Sequence, residues 1–368
     1  MKRLLCITAN MNAGGAETFL MKVYRNLDRD IFQMDFCVTN KENKYEDEIV
    51  KLGGRIYVIP PKSKNPIKSF YSIIKLVKKE QYKYVIRVNE HSLSTIDLIA
   101  AKLGGASCLA MRSSNSASDS KLSTVLHKMF MFLPKLVPNV KIAPSKLAAE
   151  YTFGKKEAES KVHIINNGLD IDDFSFNELS RKEIRNQLGI DDELVIGHVG
   201  RFNAQKNHSY LLDVFSEIAK RNNEAILLLV GEGILENEIK QKAIELGIIH
   251  RCIFTGVRSD VNKLLCAMDV FVFPSLYEGM PNTVIEAQTS GLKCFVSDSI
   301  TKEANVNGMV TFLPIDSNPA IWSDQILNSK LDYDRLCSAE YMISSGYSIS
   351  DTATKFSELI FNNTNDWL

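Results

Sequence analysis

The densest chemistry in the sequence lies between Asp269 and Ala287, where an apolar run ends at Pro274, a Gly/Pro loop carries Glu278, and a helical pattern restarts near Pro281–Asn282 and carries Glu286. Proline suits the first turn of a helix. Backbone N–H groups of Met280–Thr283 would then project from a helix start, where the positive end of the helix dipole favours an anion such as a diphosphate. Glu278 and Glu286 could accept hydrogen bonds from hydroxyls of a sugar and a ribose, as charged acceptors do more strongly than neutral ones. The plain alternative is a loop carboxylate and a solvated helix residue. A second cluster, Gly200-Arg201-Phe202-Asn203-Ala204-Gln205-Lys206-Asn207, follows another apolar run. It sets a planar cationic fork and a point charge at a strand end, both suited to phosphate oxygens, or else forms an ordinary surface loop. A third, Asn12-Ala13-Gly14-Gly15-Ala16-Glu17, opens the first helix, and its glycine pair would let backbone approach a phosphate. Neither G-x-G-x-x-G nor a Walker A motif occurs there, so dinucleotide and P-loop readings lose their support.

Metal ligands are not apparent. Asp170-Ile171-Asp172 has a D-x-D spacing but falls in a turn-rich linker, where aspartate caps helices and turns, and no two of the six histidines share ligand spacing on a helical face. No metal is expected. Seven cysteines, odd in number and never C-x-x-C, argue against disulfides or zinc and for a reducing cytoplasm. His91, just after a predicted strand, is the histidine best placed to act near a substrate.

Positioning these residues requires strands. Short β-branched runs at 4–9, 36–39, 56–60, 84–88, 107–112, 140–144 and 162–165 alternate with helical segments, the signature of βαβ units and a parallel sheet. The rhythm breaks near Asn166–Phe174, a polar helix Leu179–Leu188 follows, and runs at 194–199, 225–230, 252–255, 270–273, 294–297 and 309–313 build a second α/β domain. The expected organisation is residues 1–168, residues 169–350, and a terminal helix from 351 to 368 packing back on the first domain. Open α/β sheets bind ligands beyond the carboxyl ends of their strands, so the site is expected in a cleft between the two domains. Ser113–Ser120 reads as a loop at its edge.

The 368 residues carry 44 Lys+Arg and 44 Asp+Glu, yet residues 1–165 hold 27 basic against 15 acidic side chains, a surplus of 12, and the remainder an equal deficit. A basic half suggests an anionic partner. No apolar run approaches the roughly 18 residues of a membrane span. Met1-Lys2-Arg3 with Leu4–Thr8 reads as a first strand and not a signal peptide, because Asn10 and Asn12 follow without a small-residue cleavage site. Nucleic acid is disfavoured, since the basic segments lack interleaved stacking aromatics.

Taken together, Gly14-Gly15-Ala16-Glu17, Asn167-Gly168-Leu169-Asp170, Gly200-Arg201 with Lys206-Asn207, Gly231-Glu232-Gly233, Phe254-Thr255-Gly256 and Glu278-x7-Glu286 make the chain resemble the family-4 retaining glycosyltransferases of GT-B fold, of the bacterial capsule, exopolysaccharide and O-antigen type. The resemblance spans the full length. It implies two Rossmann-like domains and a nucleotide-diphosphate sugar donor, commonly UDP-linked, used without metal or other cofactor. By the same resemblance Arg201 and Lys206 would bind the diphosphate, Glu286 the ribose and Glu278 the transferred sugar. Gly14, Gly15, Gly200, Asn207 and the segment Gly279, Met280, Pro281, Asn282 and Thr283 would complete the donor site, with Val257 and Arg258 bordering the base.

Related enzymes often carry His-Ser-His after the fourth and fifth strands, whereas this chain has Arg87-Val88-Asn89 and Arg112-Ser113-Ser114. Asn89, His91 and Arg112 are the candidates for acceptor binding, with His91 as a substitute catalytic histidine. A front-face mechanism, in which the departing diphosphate itself helps deprotonate the acceptor, would need no histidine. The acceptor in similar enzymes is often a polyprenyl-diphosphate glycan at the inner membrane leaflet, which gives the basic half a meaning. Lys128, Lys135, Lys141 and Lys146 flank apolar Met129–Leu133 and suit peripheral adhesion to anionic lipid from the cytoplasmic side. A UDP-sugar epimerase of similar fold and a catalytically silent sugar-nucleotide or glycan-binding subunit are the competing readings.

Overall fold

Apolar runs with helices on both sides become parallel strands, because only a sheet covered on both faces can bury side chains of both orientations. The computed structural model describes residues 1–12, 14–89, 91–113, 121–330, 335–336 and 338–362. They divide into two units, one formed by Met1–Gly168 together with the segment that begins at Gly346, the other by Leu169–Ser345.

Unit 1 contains β1 (Lys2–Ile7), β2 (Phe32–Val38), β3 (Ile56–Val58), β4 (Tyr84–Asn89), β5 (Cys108–Ser113), β6 (Val140–Ala143) and β7 (His163–Ile164). They form one parallel sheet in the order β3-β2-β1-β4-β5-β6-β7. Strand order reverses between β1 and β4, with Ile7 opposite Arg87. One face is covered by the helix Gly15–Asn26 and by the helix Ile349–Phe361, whose Phe356, Ile360 and Phe361 are fully buried in this core. Phe361 stacks on Phe32 at 4.5 Å and meets Tyr84 edge-on at 5.0 Å. The other face packs on the helices Pro66–Glu80 and Ile96–Leu103 through Ile73, Val77 and Leu98.

β2 starts four residues before the apolar run that announces it. The extension is polar yet buried. Asp35 accepts both arms of the Arg3 fork, at 2.6 and 2.5 Å, with the Tyr82 hydroxyl at 2.6 Å and the Arg55 N–H at 2.8 Å. Gln33 Oε1 takes the Tyr24 hydroxyl at 2.5 Å. Lys141, expected on a lipid-facing surface, is instead buried in β6, paired with Glu157 and donating to the Lys135 carbonyl at 2.8 Å. It is unavailable to a membrane, since its ammonium is itself buried and already bonded to Glu157 and the Lys135 carbonyl. Ser114–Ser120 of the serine-rich segment lie outside the described residues.

Unit 2 contains β8 (Val195–Val199), β9 (Ile226–Val230), β10 (Cys252–Phe254), β11 (Val270–Phe273), β12 (Lys293–Ser297) and β13 (Val310–Leu313). The order β10-β9-β8-β11-β12-β13, all parallel, reverses between β8 and β11. The entering helix Glu178–Leu188 is capped by Asn177, whose side chain accepts from Ser180 N–H. It is anchored by Arg181 and Arg185, each 2.6 Å from one oxygen of Asp269, so the acid that heads the Asp269–Ala287 segment is committed to structure. Asp170 likewise caps a short turn by accepting from Asp173 N–H. The six cysteines among the described residues are free, no described helix is long and apolar enough to cross a membrane, and no group of three or more potential ligands among the described residues is placed to hold a metal.

Candidate functional site

A switch in strand order opens a crevice at the carboxyl ends of the flanking strands. In unit 2 the loops leaving β8 and β11 stand at that switch, and they carry Arg201, Lys206 and Glu278. Gln205 stitches them together: its carbonyl accepts the Leu276 N–H at 2.8 Å and its side chain donates to the Tyr277 carbonyl at 2.9 Å. Lys206 Nζ is thereby held 2.5 Å from Glu278 Oε1 and 4.6 Å above the Phe273 ring, and both partners are largely buried. A Cβ on Gly200 would stand 2.9 Å from His198 Nε2 and 3.2 Å from Lys206 Cγ, so the missing side chain makes room for the lysine stem. Asn207 adopts a left-handed conformation, φ 53°, which asparagine tolerates, and turns the chain into the helix His208–Arg221. Arg201 is exposed, and its guanidinium has no hydrogen bond or ion pair among the described residues.

The helix Asn282–Thr289 starts beside this pair, with Pro281 at its N-cap. Thr283 Oγ1 and, at the end of β11, Ser275 Oγ are buried without hydrogen-bond partners. Buried hydroxyls at a strand end and a helix start that lack a protein partner are groups a water or a polar ligand would satisfy. Gly279 and Met280 are buried in the connecting loop, and Glu286 is half-buried on the helix rather than solvated. After β10, Val257 is 62% exposed, while Arg258 grips Asp260 with both arms of its fork at 2.6 and 2.8 Å. That hydrogen-bonded pairing raises the arginine pKa and lowers that of the aspartate.

In unit 1 the switch lies between β1 and β4. Gly14 caps the helix Gly15–Asn26 at φ −89°, so it needs no glycine-specific backbone. A Cβ there would meet Glu17 Oε2 at 2.3 Å. The chain's own carboxylate lies over the helix start, where a phosphate would have to displace it. His91 is occupied on both ring nitrogens: Nδ1 accepts the Leu93 N–H at 3.2 Å, which leaves Nε2 to donate to the Ser123 carbonyl at 2.9 Å. A neutral imidazole so arranged offers no lone pair to an acceptor hydroxyl, an arrangement that counts against a catalytic role for His91. Arg112 is fully buried, donating to Ser113 O at 3.4 Å and to Asn167 Oδ1, with its guanidinium 3.7 Å from the Phe19 ring centroid. Burial without a carboxylate partner pushes its pKa down to about 9, and Nε has no partner. Asn89 ends β4, and its side chain lies outside the described structure.

Residues 180–326 match the family described as glycosyl transferases group 1. EpsF of Bacillus subtilis, assigned to the glycosyltransferases, is 32% identical over 333 residues, covering 88% of this chain and 87% of that protein. The chain belongs to the group 1 glycosyltransferases. A UDP-Gal:alpha-D-GlcNAc-diphosphoundecaprenol alpha-1,3-galactosyltransferase of Escherichia coli is 28% identical over 293 residues, 75% of this chain and 73% of the relative. Among solved structures, Anabaena Alr3699/HepE in complex with UDP and glucose superposes with a TM-score of 0.78 at 17% identity over 97% of this chain and 99% of that one, and the fold is GT-B.

The glycosyltransferase also uses residues that sequence reading passed over. His198 is buried with Nδ1 2.8 Å from the Val272 carbonyl and Nε2 unpartnered, and His208 stacks on Phe202 at 4.1 Å with its own Nε2 orphaned. Burial lowers their pKa values to about 4 and about 2. Both are therefore neutral packing groups beneath the Gly200–Lys206 loop. Their position at strand end and helix start was visible in sequence, whereas their burial was not.

Proposed function

We propose that this glycosyltransferase moves a sugar from a nucleotide-diphosphate donor, UDP-linked, to a hydroxyl of a polyprenyl-diphosphate-linked glycan in surface polysaccharide assembly, with retention at the anomeric carbon and without a metal. The observation that carries the donor half is the grouping, at one strand-order switch, of an unpaired Arg201, the Lys206–Glu278 pair and a helix start with an orphaned Thr283 hydroxyl. Arg201 and Lys206 take the diphosphate, the helix start adds its dipole, Glu286 holds the ribose, and Val257 and Arg258 border the base. Fixed cations aimed at a leaving group stabilise its developing charge, the role a divalent ion plays elsewhere. Donor binding recruits Lys206 to phosphate and turns Glu278 toward the transferred sugar.

No enzymic base is required. With His91 committed on both nitrogens, a departing phosphate oxygen receives the acceptor proton as the glycosyl bond forms on the same face. Asn89 of unit 1, at the end of β4, is the proposed acceptor ligand, whereas Arg112 is sealed under Phe19 and bonded to Asn167. The lipid-linked acceptor is argued from the named acceptor of the E. coli relative and from the basic surplus of the amino-terminal half. Lys128 and Lys135, beside exposed Val125, Met129, Phe132 and Leu136, remain a surface for anionic lipid at the cytoplasmic face.

Thermal stabilisation by a panel of UDP-, GDP- and dTDP-sugars, followed by hydrolysis and transfer assays, tests the reading. A UDP-sugar that stabilises the chain and is turned over supports it. Sugar isomerisation without acceptor would make the chain an epimerase, and binding without turnover a silent subunit.

A further inference from the structure

Arg201 has a guanidinium without a partner among the described residues, so its aim depends on the backbone that carries it. That backbone is fixed on both sides. The Gly200 N–H donates to the Val230 carbonyl at 2.9 Å, the Phe202 N–H to the Glu232 carbonyl at 3.0 Å, and the Leu235 N–H to the Phe202 carbonyl at 3.0 Å. Gly231 N–H in turn donates to the Gly256 carbonyl at 2.9 Å, so the loops leaving β8, β9 and β10 form one backbone mesh. The Phe202 ring, 1% exposed, packs on His208 at 4.1 Å and Phe254 at 6.0 Å.

The mesh closes only because two positions lack a side chain. A Cβ at Gly231, where φ is 136°, would stand 2.2 Å from the Gly200 carbonyl oxygen. At Gly233 it would stand 2.4 Å from the Phe202 carbonyl oxygen and 2.7 Å from the Phe202 nitrogen. These are backbone atoms, which cannot swing aside as a side chain can. The two contacts bracket Arg201 from its neighbours on either side, so relieving either one moves Arg201 by on the order of 1 Å, a misplacement that can cost up to about a hundredfold in function.

We propose that Gly231 and Gly233 are positioning residues that hold Arg201 on the donor's diphosphate. The inference rests on the reading of Arg201 as a diphosphate ligand, and it gives the Gly231-Glu232-Gly233 motif a role: the loop touches the backbone that aims the cation.

The decisive readout is the ratio of UDP to UMP affinity, measured by calorimetry on the full chain, because it isolates the grip on the second phosphate. Arg201→Ala sets the scale, with an expected loss of about tenfold or more in that ratio. Gly233→Ala, whose φ is ordinary, and Gly231→Ala are expected to lose most of the same ratio. UMP affinity should stay within about threefold in Gly233→Ala, whereas Gly231→Ala, at a residue bonded to the Gly256 carbonyl next to Val257, should weaken UMP as well. Gly247→Ala is the strain control, because Gly247 has φ 70° with nothing within 4 Å of its Cβ. It should lower melting temperature and leave the ratio alone. Phe202→Leu introduces no clash but removes the ring packed on His208, and it keeps the test readable should the glycine variants fail to fold. Folded Gly233→Ala and Phe202→Leu proteins with the wild-type ratio overturn the proposal. A wild-type protein that does not prefer UDP, or an Arg201→Ala protein that keeps the preference, overturns the donor reading itself and the inference with it.

Discussion

The two strand-order switches are built on the same plan and furnished differently. In unit 2 the groups at the switch are held for use: Arg201 stands unpaired on a fixed backbone, Lys206 and Glu278 hold each other at 2.5 Å, and the Thr283 hydroxyl is buried without a partner. In unit 1 the corresponding groups are already employed. His91 caps a turn and binds Ser123, Glu17 covers its own helix start, and Arg112 is sealed under Phe19 and Asn167. Residue type at a strand end therefore does not by itself indicate a site; burial and partner geometry decide whether its polar atoms are unspent, as in Arg201, paired with each other, as in Lys206 and Glu278, or committed to the fold, as in Arg112.

Four substitutions break or sharpen this contrast. Arg201→Ala should have the largest effect, lowering kcat/KM for transfer by about two to three orders of magnitude with an unchanged melting temperature, since a preorganised cation at a developing anion is worth several kcal/mol. Near-wild-type rates would place the diphosphate elsewhere. Glu278→Gln should split the parameters, because it frees Lys206 while removing the carboxylate for the sugar: UDP should bind about threefold to tenfold tighter as turnover collapses. Weaker UDP binding would mean that Glu278 steers Lys206 into place and does not compete for it.

His198→Phe should act on stability and leave chemistry largely alone. The folded pKa of His198 lies near 4, below the ordinary value of 6.5, so the unfolded chain takes up the proton first. Its contribution is fully present above pH 6.5 and is lost as pH falls toward 4, about 3 kcal/mol over that window. The phenylalanine should flatten this acid limb by one proton in pH-dependent denaturant unfolding, and an unchanged slope would mean that His198 is not buried as described. The smallest effect belongs to His91→Asn, which can still cap Leu93. Its kcat should stay within about threefold of wild type, whereas a hundredfold drop would restore a catalytic role to unit 1.

Much of unit 2 was legible because its chemistry is local. A buried strand, a Gly/Pro turn and a helix start in immediate succession fix where Glu278 and Glu286 must stand, and periodicity alone shows that. The Lys206–Glu278 pair joins residues 72 positions apart through Gln205, and no local pattern announces it. The start of β2 was hidden for the opposite reason: Gln33 and Asp35 look like solvent-facing residues until Tyr24, Arg3 and Tyr82 are brought onto them. His91 drew attention because its strand-end position was visible and its bond to Ser123 was not. Lys141 did the same, its charge suggesting a surface while Glu157 drew it inside.

The return of the helix Ile349–Phe361 into unit 1 has a consequence for biogenesis. Phe356, Ile360 and Phe361 belong to the core that β1 begins, yet a ribosome delivers them only after all of unit 2 has emerged. Domains generally fold as units during synthesis, amino-terminal first, but this one must wait with an apolar face uncovered while its successor completes. A premature stop at codon 356 would thus injure the core that β1 begins, and nascent chains stalled there are natural clients for chaperones.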